Sequence, residues 1–219
     1  WGNPPCIGAD QLTPGLASGR LTMRIEVAYT NVTPGFTLPL IAQNDGPITS
    51  SVWDLGDGMM VTNQPCVSRA WALPGVYVVR LTGYNDSEPG GVTVTVDIHV
   101  TDITCYVDAA SPNPTFPYTN WATAATTIQE AIDAGTWPGR EVLVAKGVYR
   151  TGIAETNGLN RIAVSGPVVV RSVSGPVGTI IEGGSSDVRC AYVGDEAVLS
   201  GFTLRNGCAG QGEIGRAHV

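Results

Sequence analysis

Charged side chains are scarce. Asp, Glu, Lys and Arg make up 14% of the 219 residues, against about 25% in an average soluble domain. Twelve Lys and Arg face nineteen Asp and Glu, a formal net charge of −7. A chain this poor in basic residues lacks the surface that nucleic acid requires, and it is equally unsuited to anionic lipid. No apolar run reaches the length of a membrane span. The five cysteines (Cys6, Cys66, Cys105, Cys190 and Cys208) include no C-x-x-C pair, which argues against a zinc or redox motif. Being odd in number, they cannot all pair internally. Buried free thiols are the plainest expectation for most of them, and Cys190–Cys208 is the first pair to test. There is no Gly-x-Ser-x-Gly, no phosphate loop and no metal-ligand spacing.

What is abundant is Gly (28) and Pro (15), within a chain that is 43% hydrophobic. With many Thr and Val, this composition predicts short strands joined by many turns. Residues 1–18 are polar and Gly/Pro-rich without a period, as in a linker or the end of an upstream domain. From Leu21 the pattern changes. Leu21, Met23, Ile25 and Val27 alternate with Thr22, Arg24 and Glu26, the period-two signature of a half-buried strand. Further strands are predicted at 36–41, 51–56, 76–82 and 92–100, with residues 83–91 a loop. Six or seven short strands in this stretch make an antiparallel sandwich.

After Asp102 a Pro-rich loop (108–121) leads to the one convincing helix. Thr126 is the expected N-cap, with Gln129 completing a capping box. Ile128, Ala131 and Ile132 form its apolar stripe, and Gly135 is its stop. Short apolar strands follow at 141–145, 161–164, 168–173, 179–181, 189–193 and 198–204. Gly-rich separators and the absence of intervening helices point to a solenoid.

Two resemblances fit these patterns. Trp53-Asp54-Leu55-Gly56-Asp57-Gly58, followed by AWALPGVYVVRLTGYN at 70–85, resembles the polycystic-kidney-disease (PKD) repeat domain over residues 19–102. Leu55 stands where that family usually has an aromatic. The resemblance implies an immunoglobulin-like sandwich with Trp53 between two sheets, Tyr77 packed on the opposite strand, and no immunoglobulin cysteine pair. NWATAATTIQEAIDAG, EVLVAKGVYR, GTIIEGG and AVLSGFTLRNG resemble the opening of bacterial right-handed parallel β-helix proteins of the pectin-lyase-like class, over residues 103–212. That resemblance implies a leading helix that covers the open end of the coil. The expected fold is therefore all-β: a sandwich followed by a truncated parallel β-helix with an N-terminal capping helix.

The ends are read separately. The chain starts at Trp1 without an initiator Met, so a start further upstream is expected. Glu213–Val219 back-translate to a string resembling a sequencing-library adapter, and are expected to be a cloning or sequencing scar. His218 is accordingly set aside.

Candidate chemistry is sparse. Asp54 and Asp57 flank a turn and have the hard oxygens that calcium takes, but such side chains also cap turn amides, which is the preferred reading. Asp86 and Glu88 are weaker candidates. Glu182, Asp187, Asp195 and Glu196 lie near turns of the solenoid. A polysaccharide-cleaving site needs carboxylates stacked from adjacent rungs, and no matching offsets stand out. Arg171, Arg189 and Arg205 could line a groove for anionic sugars, or simply reach solvent. His99 falls in an alternating strand. No catalytic, cofactor-binding or metal residue is assigned, and no cofactor is expected.

The expectation is thus an extracellular or cell-surface bacterial protein fragment. It would be a non-catalytic spacer or interaction module whose partners are polysaccharide, cell-surface glycans or other domains of the same protein. The alternative is a polysaccharide lyase or glycoside hydrolase with its active rungs beyond residue 212. Both rest on fold analogy.

Overall fold

The computed structural model describes residues 17–135, 137–184 and 187–209. Cys6, most of the expected linker, His218 and the suspected scar lie outside them. The chain divides into two compact units, Trp1–Thr101 and Asp102–Val219.

The first unit holds β1 (Thr22–Val27), β2 (Asn31–Val32), β3 (Leu38–Asp45), β4 (Ser50–Asp54), β5 (Met60–Thr62), β6 (Cys66–Arg69), β7 (Gly75–Tyr84) and β8 (Val92–Val100). They form two sheets, ordered β1-β3-β6 and β2-β8-β7-β4-β5. Every pairing is antiparallel except β2 with β8, a departure from the all-antiparallel expectation. The short strands β2, β5 and β6 were not predicted. Strand β7 also runs through Tyr84, so the expected loop at 83–91 begins later.

Alternation places one face of each sheet inward. Leu21, Met23, Leu38, Leu40, Trp53, Leu81 and Ile98 share a single core. Trp53 is fully buried, and its Nε1 donates to the Gln64 carbonyl at 2.9 Å, so the indole brings in no unpaired polar atom. Tyr77 behaves otherwise than expected. It lies in the same sheet as Trp53 and stacks on Trp71, with ring centroids 5.3 Å apart. Trp71 is itself buried and donates from Nε1 to the Leu55 carbonyl. The core thus has two indoles where the sequence pattern pointed to one.

The second unit opens with β9 (Thr104–Val107), which was not predicted, and a 3-10 turn at Trp121–Thr123. Helix α1 (Ile128–Asp133) follows. Its N-cap is Thr127, one residue later than expected, and Glu130 rather than Gln129 closes the capping box. Ile128, Ala131 and Ile132 are buried, as the stripe requires. The displaced Gln129 has another task. Its Oε1 accepts from the Ala163 amide at 2.8 Å, and its Nε2 donates to the Ala163 carbonyl at 3.4 Å. The side-chain amide therefore takes the place of a neighbouring strand at a backbone edge.

The remaining elements are β10 (Glu141–Val144), β11 (Gly147–Tyr149), β12 (Ala154–Glu155), β13 (Leu159–Val164), β14 (Val169–Ser172), α2 (Gly175–Gly178), β15 (Thr179–Glu182), β16 (Arg189–Val193), β17 (Val198–Ser200) and β18 (Thr203–Arg205). Their sheets are ordered β17-β14-β10-β9, β11-β15-β18 and β12-β13-β16. Within them β9, β10, β14 and β17 are parallel neighbours, as are β11, β15 and β18, and β13 and β16. From β10 onward the chain visits the three sheets in one recurring order, so it winds as a three-sided coil.

Stacking is in register. Cys105, Val142, Val170 and Leu199 form one ladder; Tyr149, Ile181 and Leu204 form another. Two expectations change here. The single strand predicted at 198–204 is two strands in different sheets, because Gly201 turns the corner at φ 78°. The stretch was also expected to be free of helix, but Gly175-Pro176 opens the one-turn α2 between β14 and β15.

Candidate functional site

In the first unit the Trp-Asp-Leu-Gly-Asp-Gly turn was the candidate cation site. Asp54 Oδ1 accepts the Gly56 amide at 3.0 Å, and Oδ2 pairs with Arg80 at 3.3 Å. Asp57 Oδ1 accepts the Met59 amide at 3.1 Å, and Oδ2 accepts from Arg69 Nε at 2.7 Å. Both carboxylates are thus occupied by turn amides and arginines. Gly56 is required twice over. Its φ is 76°, and a Cβ would lie 2.9 Å from the Val78 amide nitrogen. The motif therefore lets the turn after β4 lie close against β7, next to the Asp54–Arg80 pair. Asp86 donates its backbone amide to the Ala17 carbonyl, and the Glu88 amide is bonded to Asn85 Oδ1 and carbonyl. His99 is exposed on β8.

In the coil the candidates do not converge. Glu182 Oε1 accepts from Asn206 at 2.7 Å, and Oε2 from Arg205 at 3.4 Å. The Asn206 amide in particular holds its carboxyl below the usual carboxylate range, with Arg205 adding to the effect. Asp187 and Glu196 sit at positive φ, 55° and 60°, and Asp195 is exposed beside Glu196. These are turn positions that favour short polar side chains. Arg171 pairs with Glu141 of the preceding rung at 2.7 Å. Among the described residues no group of three His, Cys, Asp or Glu is placed to hold a metal ion.

The cysteines differ from the first pairing tested. Cys190 and Cys208 are both free. Cys190 points inward and its thiol donates to the Arg205 carbonyl at 3.2 Å, whereas Cys208 is exposed. Cys105 is buried and free, and Cys66 is disulfide-bonded. Burial pushes the Cys105 thiol up, against the opposing pull of Arg140.

Arg140 was not singled out by the sequence, yet it is fully buried. Its guanidinium donates to the Ile132 carbonyl near the C-terminal end of α1 and to Cys105 Sγ at 3.6 Å. A cation is suited to a helix C-terminus. Nothing in the local pattern announces it, since its partners come from β9 and α1.

A second group missed by the sequence is aromatic. Tyr106 and Trp121 meet edge to face, with centroids 4.7 Å apart, and Phe116 meets Tyr118 in the same way at 6.1 Å. Phe116 is 67% exposed and Trp121 43%. The loop that carries them is tied down by backbone bonds. The Tyr106 amide donates to Tyr118, Tyr118 to Thr115, Thr115 to Thr123 and Ala125 to Tyr106. The available signal was aromatic density inside a loop read only as irregular.

Comparison with known proteins adds the following. Residues 26–100 match the PKD domain family. A search of curated proteins found no match. Among solved structures, carbohydrate-binding modules of the β-sandwich superfamily align at 23% identity and a TM-score of 0.35, over 45% of this chain and 41% of theirs. The PKD domain of the human VPS10 domain-containing receptor SorCS2 aligns at 22% identity and a TM-score of 0.33, over 46% of this chain and 89% of that one. A family 28 exopolygalacturonase from Yersinia enterocolitica aligns at 12% identity and a TM-score of 0.30, over 74% of this chain and 32% of the enzyme. The chain therefore spans under half the length of the first and last of these. What the family comparison gives is a stretch, residues 26–100, that matches the PKD domain family, within a chain whose described residues are mainly β with a few short helices.

Proposed function

We propose that the chain is part of an extracellular bacterial protein. In it a PKD sandwich (19–102) is a spacer for the opening rungs of a right-handed parallel β-helix (103–212) that binds polysaccharide or cell-surface glycans. The observation that carries this reading is the PKD match at residues 26–100, joined to a unit that winds through three sheets in which successive rungs pair in parallel, with the short β12 antiparallel to β13 as the exception. PKD domains are typical of extracellular bacterial proteins. The disulfide at Cys66 suits an oxidising compartment. Right-handedness follows the strong general preference of parallel crossovers. Non-catalytic action is supported by the occupation of Asp54, Asp57, Glu141 and Glu182 by amides and arginines.

The test is direct. Incubated with pectate and alginate, the purified chain should release no unsaturated or reducing ends above a buffer blank, yet it should be retained by at least one polysaccharide. Release of ends would replace the binding module with a lyase or hydrolase.

A further inference from the structure

The loop between β9 and α1 combines features that the folding of the coil does not demand. Its one charged residue is Asp108 at the very start, whose Oδ1 accepts the Ala110 amide at 2.9 Å, and residues 109–127 contain no Asp, Glu, Lys, Arg or His. They carry instead Asn113, Asn120, Thr115, Thr119 and Thr123 among the aromatics. Phe116 and Trp121 turn large ring surfaces to water, at the apolar cost that normally keeps such side chains inside. Each exposed ring meets a half-buried tyrosine in an edge-to-face contact that restrains it. Tyr118 occupies the left-handed backbone region at φ 63°, an unfavourable state for a bulky residue that persists only where the surroundings impose it. The backbone bonds from Tyr106 through Ala125 hold this arrangement before any ligand arrives.

We propose that this loop is a binding platform for an uncharged polysaccharide, with Phe116 and Trp121 as the stacking faces. A pyranose ring has an apolar C–H face and a rim of hydroxyls. Aromatic planes match the first, and Asn and Thr side chains match the second. An acidic sugar polymer would call for Arg or Lys, and the loop has neither. A partner protein chosen by charge would find only Asp108, already engaged with a turn amide. Because the rings are already held in place, binding loses little conformational entropy. The proposal rests on the glycan-binding reading above and narrows it to one loop and one class of glycan.

Affinity electrophoresis of the full chain tests it, in gels containing a neutral β-glucan, a neutral galactomannan or, as the charged counterpart, polygalacturonate. Retardation is expected in at least one neutral gel and not in polygalacturonate. Phe116→Ala with Trp121→Ala should weaken that retardation by about tenfold or more, in line with losing well-packed aromatic anchors. Trp121→Phe should retain part of it. Neither side chain belongs to the buried core of the coil, so circular dichroism should match the parent and the melting temperature should fall only slightly, by the loss of the two ring contacts. Retardation that survives the double substitution would overturn the platform and leave glycan binding standing. Retardation in polygalacturonate alone would overturn the uncharged class. No retardation in any gel would overturn the platform and the glycan-binding reading together.

Discussion

The two units bury their apolar surface in different ways. Between the two sheets of the sandwich sit Trp53, Trp71, Leu38, Leu40, Leu55 and Leu81, large side chains each used once. Inside the coil sit Val107, Val142, Val144, Val164, Val170, Ile162 and Ile181, with Ala125 and Ala131. Three sheets that converge on one axis leave room for small and β-branched side chains, and the same kind of residue recurs rung after rung. A sandwich is completed by its second sheet. A coil is completed only by a neighbour along its axis: α1 packs on the coil through Ile128, Ala131, Ile132 and Gln129, and β17 and β18 are the last strands described.

This contrast is most sharply tested at Trp53. Trp53→Ala removes a fully buried indole and its bond to Gln64, and should cost the sandwich about 3–5 kcal/mol. Hydrogen exchange should show lost protection in β1, β3, β4 and β7 together, because one residue serves both sheets. Protection lost in β4 alone would mean that the sandwich too behaves as a stack of independent pieces.

The exposed apolar side chains on the last described strands of the coil should produce an effect that depends on concentration. Val198 is 45% exposed and Leu204 52%, on the last described strands. Edges of this kind invite pairing with another chain. Light scattering should show self-association of the full chain, and residues 19–102 alone should stay monomeric. Val198→Lys with Leu204→Lys should lower the association. A monodisperse parent chain would show that the coil end is closed by other residues.

The smallest effect concerns Tyr149, whose hydroxyl donates to the Ala145 carbonyl at 2.9 Å. Burial pushes its phenol from the ordinary value of 10 up to about 12, opposed by a backbone hydrogen bond from Ala109 and reinforced by the charge of Asp108. The fold thus favours the neutral phenol. Its contribution is complete below pH 10 and is lost as the pH rises toward about 12. A spectrophotometric titration should show a phenol ionising near pH 12, and Tyr149→Phe should remove that late step. An unchanged titration would place the late phenol elsewhere.

Much of this molecule was legible as pattern. Period-two alternation from Leu21 to Val27 and from Val92 to Val100 marked strands, because successive side chains on a strand face opposite sides. The Trp-Asp-Leu-Gly-Asp-Gly motif marked the sandwich, and Gly-rich separators marked the corners of the coil. Other features depended on partners far along the chain, and no local pattern could hold them. Strand β9 is a strand because β10 lies beside it. Residues 198–204 divide in two because β14 and β15 belong to different sheets. Arg140 is buried because Ile132 and Cys105 are brought to its guanidinium, and Cys190 stays unpaired because its thiol turns inward to Arg205. Phe116 and Trp121 were visible as residues all along. That they stand exposed on a pinned loop was decided by backbone bonds from Tyr106 to Ala125. Composition and periodicity act through neighbours in sequence, whereas pairing, burial and exposure are settled by which distant segments the fold brings together.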